Sequence, residues 1–304
     1  MQPFSAQIIP LEKVNRTKWD TIVAVNDNGL IYSSFTYLNL ICTNCLALVI
    51  NDYEAILPLP VKRKFGLRYL YIPPFVQQSG LIGKADNQHL ILQHIKQCFK
   101  YGDIFFNYQN DFVETETGVT RRNNFIIDLN TDYTSIKKNY HSSVNYSLHK
   151  AEKAGCAYIS SNNIEEAIAL YQSYNEKNLT HVTDKDFFNL LNLCNTLSQQ
   201  DKVLIRKVIN HKNELLSLAL LLKDNKRYYN LINYTSPQGR QTDANYFLYD
   251  NLFKELAHQN RLFDFEGSNI EGIKNFYEKF GAQNQPYFHW HFNNLPFPLK
   301  LIKH

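Results

Sequence analysis

Asp264, Glu266, Ser268 and Tyr277 fall within fourteen positions of one another, in a segment that alternates polar and apolar residues and then turns helical. Carboxylates and a phenol this close suit general acid–base chemistry at a carbonyl, which needs a group to take a proton from the nucleophile, a donor to the carbonyl oxygen as it becomes an oxyanion, and a proton for the leaving group. This stretch offers those parts: Glu266 or Asp264 as the base acting through water, Tyr277 as the acid, and backbone N–H groups near Asn233 and Tyr234 facing the carbonyl. Each residue also has a structural reading. Tyr277 adjoins the apolar stripe of Ile270, Ile273, Phe276 and Phe280, where a tyrosine packs with its hydroxyl satisfied. A carboxylate at a strand end often caps the helix that follows. Ser268 and Lys274 flank these groups and are assigned to substrate binding.

Such side chains need a strand to present them and a helix to close behind them. Residues 262–266 read as a buried strand, and the stripe at helical spacing predicts a short amphipathic helix, with Asn269 as N-cap and Gly281 as stop. A second constellation lies far upstream: Lys62, Arg63, Lys64 and Arg68 on a predicted hairpin beside Gln77 and Gln78. Arg and Lys there suit a phosphate, a carboxylate or an RNA backbone; the alternative is a solvated hairpin tip.

Other chemistries find no support. Cys42, Cys45, Cys98, Cys156 and Cys194 make an odd, unframed set, read as reduced thiols. Cys42 and Cys45 lack the second pair that zinc needs. The histidines, including the neighbours His289 and His291 and the spaced His141 and His149, show no ligand pattern and are read as structural or surface groups, so no metal is expected. No nucleophile elbow, Walker loop or dinucleotide fingerprint occurs.

Periodicity gives the frame. In the first half, helices at 19–26 and 33–42 precede strands at 45–50, 53–60 and 67–72, a helix at 87–101, and strands at 103–108 and 124–129. A long helix over 131–154, with Ile136, Tyr140, Val144 and Leu148 on one stripe and Lys137, Lys138, Lys150 and Lys153 off it, reads as a bridge; its lysines would add to an RNA track if they and the basic hairpin faced one cleft. In the second half, a strand at 156–160, helices at 164–177 and 184–197, and strands at 203–210, 215–222 and 227–234 lead to a polar loop at 235–243. A helix at 244–259, the 262–266 strand and a closing strand at 286–292 follow. The element order repeats, which argues for internal duplication and a mixed α/β sheet architecture. The expected division is an N-terminal domain over 1–130, a bridging helix over 131–155, and a C-terminal domain over 156–304 that carries the catalytic residues. A chain of 304 residues, 44% hydrophobic and 20% charged, suits two such domains. The 20 Tyr and 20 Phe make ring packing a large part of the core. A net charge of +4 is too mild to demand nucleic acid by itself. No apolar run of membrane-spanning length and no signal-like start appear, which gives a cytoplasmic location as the expectation.

The run Asp264-Phe265-Glu266-Gly267-Ser268 with Phe280-Gly281 behind it resembles the corresponding stretch of FemAB-like transferases, and the helix with Asn275, Phe276-Tyr277 and Lys279-Phe280-Gly281 resembles the last part of the GNAT acyltransferase fold. The run from Ile56 to Lys64 through Pro73-Pro74-Phe75-Val76-Gln77-Gln78-Ser79-Gly80 is similar to the cleft-facing loop of the N-terminal domain in bacterial members. Residues 125–129 with the basic helix to Gly155 add a weaker match. The resemblance implies two tandem GNAT-like domains (the acyl-CoA N-acyltransferase fold), a substrate cleft between them, and a bacterial N-acyltransferase acting on an amine of a cell-envelope precursor, a peptide or a small molecule. It implies a donor that is an acyl-CoA or an aminoacyl-tRNA, so tRNA is an expected partner alongside the amine acceptor. Gln238, Gly239 and Arg240 occupy the place of the donor's pyrophosphate loop. That loop holds one glycine, off the usual spacing, and Asp243 opposes phosphate; this favours the FemAB-like group over an ordinary acetyltransferase. The competing reading is a non-catalytic binding protein that keeps the fold.

Overall fold

The computed structural model describes residues 5–64, 66–85, 88–176, 179–298 and 300. It divides into two compact units, the first made of Met1–Arg122 with Pro286–His304 and the second of Asn123–Gln285.

The chain opens with strand β1 (Ala6–Pro10), helices α1 (Arg16–Val25) and α2 (Phe35–Ile41), and the hairpin of β2 (Cys45–Ile50) and β3 (Ala55–Lys64). Asn15 and Ser34 cap the two helices, accepting from the N–H groups of Lys18 and Tyr37. The hairpin turns through Asn51 and Tyr53, both with left-handed φ. Then come β4 (Leu67–Leu70), β5 (Ile82–Gly83), α3 (Gln88–Cys98), β6 (Tyr101–Phe106) and β7 (Val119–Arg122). Pro58 and Pro60 sit mid-strand in β3, in the gap between its β5 partners at Ala55 and Ile56 and its β4 partners from Val61 onward. A proline, with no N–H to donate, is tolerated where that side of the strand has no partner, while β2 pairs the other side. One cluster beneath the sheet gathers Trp19, Val23, Leu38, Ala47 and Ile56; another gathers Leu57, Leu59, Ile91, Ile95, Phe106 and Trp290.

The second unit begins with β8 (Phe125–Asp128), α4 (Tyr133–Lys138), α5 (Ser142–Lys153), β9 (Ala157–Ser161), α6 (Ile164–Asn175) and α7 (Asp184–Ser198). It continues with β10 (Val203–Ile209), β11 (Leu215–Lys223), β12 (Arg227–Thr235), α8 (Pro237–Gln241), α9 (Ala244–Leu256), β13 (Leu262–Asp264), α10 (Glu271–Lys279) and β14 (Gln283–Asn284). The strand order is β14-β8-β13-β12-β11-β10-β9, antiparallel except for the parallel β12–β13 contact. Residues of α4, α5, α9 and α10 join one core with Ala219 and Leu221 of β11, while α6 packs on β11 and β12 and α7 on β10. The intervening Leu218, Leu220 and Leu222 are equally buried, as alternation requires of a sheet covered on both faces.

The last strand, β15 (Tyr287–Asn293), returns to the first unit and pairs antiparallel between β6 and β7. That first-unit sheet therefore runs β1-β2-β3-β4-β6-β15-β7, with β5 on β3. Among the described residues no helix is long and apolar enough to cross a membrane.

The division departs from the expected one in three places. The closing strand belongs to the first unit, because its apolar residues Phe288, Trp290 and Phe292 complete that core. The boundary falls at Asn123, since β8 pairs with β13 and β14. The 131–155 bridge is two helices inside the second unit: Asn139 ends α4, and His141 starts α5 by accepting from Ser143 N–H. Its predicted stripe holds, with Ile136, Val144 and Leu148 buried. The expected helices at 87–101 and 164–177 reach Asn87 and Lys177, which lie outside the described residues. β1, β5, β7 and β14 were not predicted; three are at most four residues long and give no periodic signal.

Candidate active site

β12 pairs with β11 as far as Thr235 but with β13 only at Arg227, Tyr228 and Tyr229, opposite Leu262, Phe263 and Asp264. Beyond that point the two strands part. A bulge marks the place: Leu222 faces Tyr229 and Leu220 faces Ile232, so Asn230 and Leu231 together oppose Leu221. Asn230 is 5% exposed, donates to the Tyr249 hydroxyl at 2.8 Å, and leaves its Oδ1 without a partner.

The other side of the opening is the turn after β13. Asp264 is fully buried and paired with Arg227, itself 1% exposed, at 2.7 Å. Arg227 also donates to Gln285 at 2.8 Å, and the second Asp264 oxygen accepts the Glu266 N–H at 2.9 Å. Both oxygens of Asp264 are thus engaged, and its role is to tie β12 to the turn. Glu266 then takes a left-handed φ of 61° and Gly267 one of 72°. For glutamate this conformation is strained, and a strained residue held by a buried ion pair is a common mark of a functional turn. Glu266 does not cap α10: the N-cap is Ile270, without a side-chain cap. Asn269, expected there, instead accepts the Asn123 N–H at 3.2 Å, while Ser268 Oγ accepts the Ile270 N–H at 3.0 Å and shapes the approach to the helix.

Tyr277, on α10, is 9% exposed and stacks on Phe265 with ring centroids 4.2 Å apart. Burial, chiefly, raises its hydroxyl pKa, with the charges of Glu266 and Asp264 and the Tyr171 hydroxyl adding to the shift. Tyr277 and Glu266 therefore share one electrostatic environment. So does Tyr171 of α6, a residue with no sequence signal of its own: burial, then the Glu266 charge, pushes its hydroxyl up to about 12. Its helix lies along β12, where the next turn sets Tyr174 edge-on against Tyr234 at 5.6 Å.

The remaining expected residues separate. Asn233 is held in the wall of the opening, donating to the Leu218 carbonyl at 3.1 Å and to Asn245 at 3.0 Å. Lys274 is on the α10 surface, 3.7 Å from Glu278. Lys62, Arg63, Gln77 and Gln78 belong to the first unit. Lys62 and Arg63 are exposed, with Lys62 over the Tyr71 ring at 4.2 Å. Gln78 is fully buried, donates to Gln77 at 3.2 Å, and so offers no surface grip.

The 235–243 segment is not an open loop but the short helix α8. Ser236 Oγ accepts the Gly239 N–H at 3.0 Å, and the N–H groups of Arg240 and Thr242 bond inside the same turn. Gly239 serves close packing: a Cβ there would lie 2.0 Å from the Leu216 carbonyl oxygen. Arg240 donates to the Tyr174 hydroxyl and stacks on its ring at 5.3 Å, while Gln238 is exposed. A diphosphate cradle needs unengaged N–H groups, and those of Gly239 and Arg240 are engaged.

His289 and His291, expected as structural or surface groups, both contact Asp103 Oδ1, at 2.9 Å and 3.0 Å. The β6–β15 register brings that carboxylate across the sheet. Among the described residues no group of three or more His, Cys, Asp or Glu side chains is placed to hold a metal ion.

No family model and no curated protein matches the sequence. Solved structures do. FemX aligns over 98% of this chain and 99% of its own with a TM-score of 0.67 at 13% identity. A conserved protein of unknown function from Bacteroides thetaiotaomicron aligns over 96% and 100% with a TM-score of 0.57 at 10% identity. L-PGS from Bacillus licheniformis aligns over 94% of each chain with a TM-score of 0.53 at 12% identity. These likenesses show the fold: two mixed α/β units of the kind that make up FemX.

Proposed function

We propose that this protein is an N-acyltransferase that moves an acyl or aminoacyl group to an amine, with its chemistry in the second unit. The observation that carries this reading is the strained turn at Glu266, where the chain leaves its pairing with β12, with Tyr277 stacked on the adjoining Phe265. Glu266 takes the proton from the attacking amine through water as the new C–N bond forms. Backbone N–H groups of β12 beyond the bulge stabilise the oxyanion, and Tyr277 protonates the leaving oxygen or sulfur as its bond to the acyl carbon breaks. Proton return from Glu266 to the tyrosinate resets both groups, so the amine's proton ends on the leaving group. Asp264 positions Glu266 through its backbone N–H and takes no proton. The fold shared with FemX and L-PGS supports the reaction class.

The internally bonded α8 favours aminoacyl-tRNA over acyl-CoA as donor, since it leaves Gly239 and Arg240 little to offer a pyrophosphate. The same fact is what favours the second reading, a binding protein that keeps the fold without catalysis. Calorimetric titration with acetyl-CoA and longer acyl-CoAs against free CoA, followed by transfer assays with charged tRNA and an amine panel, tests both. Acyl-dependent CoA binding overturns the tRNA assignment; silence toward every donor in both assays rejects the enzyme and leaves the binder.

A further inference from the structure

Both sheets follow one plan. In the strand orders β1-β2-β3-β4-β6-β15-β7 and β9-β10-β11-β12-β13-β8-β14, the fourth and fifth strands are the one parallel pair among the described residues, and the other neighbours run antiparallel. In the second unit that pair parts at the candidate active site. In the first, β4 meets β6 at Leu70 and Gly102, and the chain rejoins β6 at Ser79, beside Phe106. The residues between arch away through Phe75, whose φ of 64° is left-handed and whose carbonyl accepts the Tyr37 hydroxyl. A small pocket opens where the arch leaves the sheet, lined by first-unit residues alone.

Pro58, Pro60, Tyr71 and Phe105 make this pocket mostly apolar, and Ser79 and Asp103 bring polar groups to it. Ser79 is 9% exposed, and its Oγ is buried with no hydrogen-bond partner among the described residues. Asp103 spends Oδ1 on both His289 and His291, which leaves Oδ2 without a partner among the described residues. Burial works against the Asp103 charge, but the bonds from the two imidazoles outweigh it and hold the carboxyl below its ordinary value. An ionised carboxylate in apolar surroundings repels anions and favours a cation that carries N–H donors. A metal ion needs more oxygen ligands than one carboxylate and one hydroxyl supply. We propose that this pocket binds a primary ammonium on a short aliphatic stem, the ammonium donating to Asp103 Oδ2 and Ser79 Oγ and the stem lying against the proline and aromatic rings. Lys62 rests on the Tyr71 ring without lining the pocket, so the carboxylate stays open to the ligand. The inference concerns the first unit and does not rest on the transferase reading.

The probe is n-propylammonium chloride, titrated at fixed pH and ionic strength into protein with ¹⁵N-labelled histidine, and 1-propanol is its neutral counterpart. The imidazole resonances of His289 and His291, assigned by their loss in H289Q and H291Q, report on Asp103. Propylammonium is expected to move both saturably, with an affinity about tenfold or more above that of propanol. Asp103→Asn should weaken its binding about tenfold or more, and Ser79→Ala about fivefold. Because the Ser79 hydroxyl has no partner to lose, S79A without ligand should melt no lower than the parent. Equal responses to the two probes, or no saturable response to propylammonium, overturn the proposal, as does undiminished binding in D103N. An S79A protein that melts several degrees lower shows the hydroxyl to be structural and overturns its assignment to the ligand. Transfer is not read in these titrations, so their failure leaves the transferase reading as it stands.

Discussion

Removing the Asp264 carboxylate tests how the site is held together. In Asp264→Ala the Arg227 guanidinium stays buried, 1% exposed, and still donates to Gln285, with its carboxylate partner gone. Breaking a buried pair in this way costs about 3–5 kcal/mol, and losing the acceptor of the Glu266 N–H adds about 1 kcal/mol. Arg227→Met strands the carboxylate and costs a similar amount. The double variant Arg227→Met with Asp264→Leu buries neither charge, so it is expected to lie within about 2 kcal/mol of the parent. The coupling energy is then at least about 3 kcal/mol, far above the additivity error of independent sites. Both tryptophans, Trp19 and Trp290, are in the first unit, so their emission reports that unit, while far-UV circular dichroism reports both. Thermal unfolding should show the dichroism transition falling by about 10 °C in each single variant, with tryptophan emission unmoved. Single variants that each lose under about 1 kcal/mol, or a double variant that loses the sum of the two, would refute the reasoning.

Glu266→Ala keeps the left-handed strain and Glu266→Gly relieves it, so the glycine variant should be the more stable by about 1 kcal/mol although both lose transfer; urea titration measures the difference. Tyr277→Phe should slow transfer about a hundredfold and leave the melting temperature nearly unchanged, measured with chemistry rate-limiting. Gly239→Ala forces a Cβ to within 2.0 Å of the Leu216 carbonyl oxygen and should cost about 2 kcal/mol or more, seen as a lower dichroism midpoint. Burial raises the Asp103 pKa, but hydrogen bonds from His289 and His291 outweigh it and leave the carboxyl below its ordinary value. Its stabilisation is thus present above the unfolded carboxyl pKa of about 4 and is lost as pH falls through the lower folded value. Tryptophan-monitored melts from pH 5 downward should show this loss in the parent and a flatter profile in Asp103→Asn.

What the sequence made legible follows from how each element declares itself. The apolar run Cys45–Ile50 and the helix α10 both lie close to where they were expected, although Ile270 and Ile273 of the expected stripe are exposed and only its later part is covered. Glu266 and Tyr277 were legible because the strand, the turn and the helix that carry them are contiguous in sequence. Tyr171, whose hydroxyl the Glu266 charge helps to raise, was not, since it lies nearly a hundred positions upstream on a helix that packs on β12. Asp103 escaped as a partner of His289 and His291 for the same reason: strand pairing joins residues 186 and 188 positions apart. The buried role of Asp264 was hidden because Arg227 reads as an ordinary strand-end cation. The helical state of α8 was hidden because Pro, Gln and Gly in succession read as a loop, although Ser236 followed by Pro237 is also a helix start.

The return of β15 between β6 and β7 governs the order in which the chain can assemble on the ribosome. Until Tyr287–Asn293 emerges, β6 lacks its antiparallel neighbour and β7 has no strand to join, so both wait for a strand that follows the whole of the second unit. Residues 123–285 meet no such delay, because every strand of that sheet lies within them. Synthesis from the N-terminus thus inverts the usual sequence of events: the inserted unit can close first, while the open edges of its host need shielding from other chains.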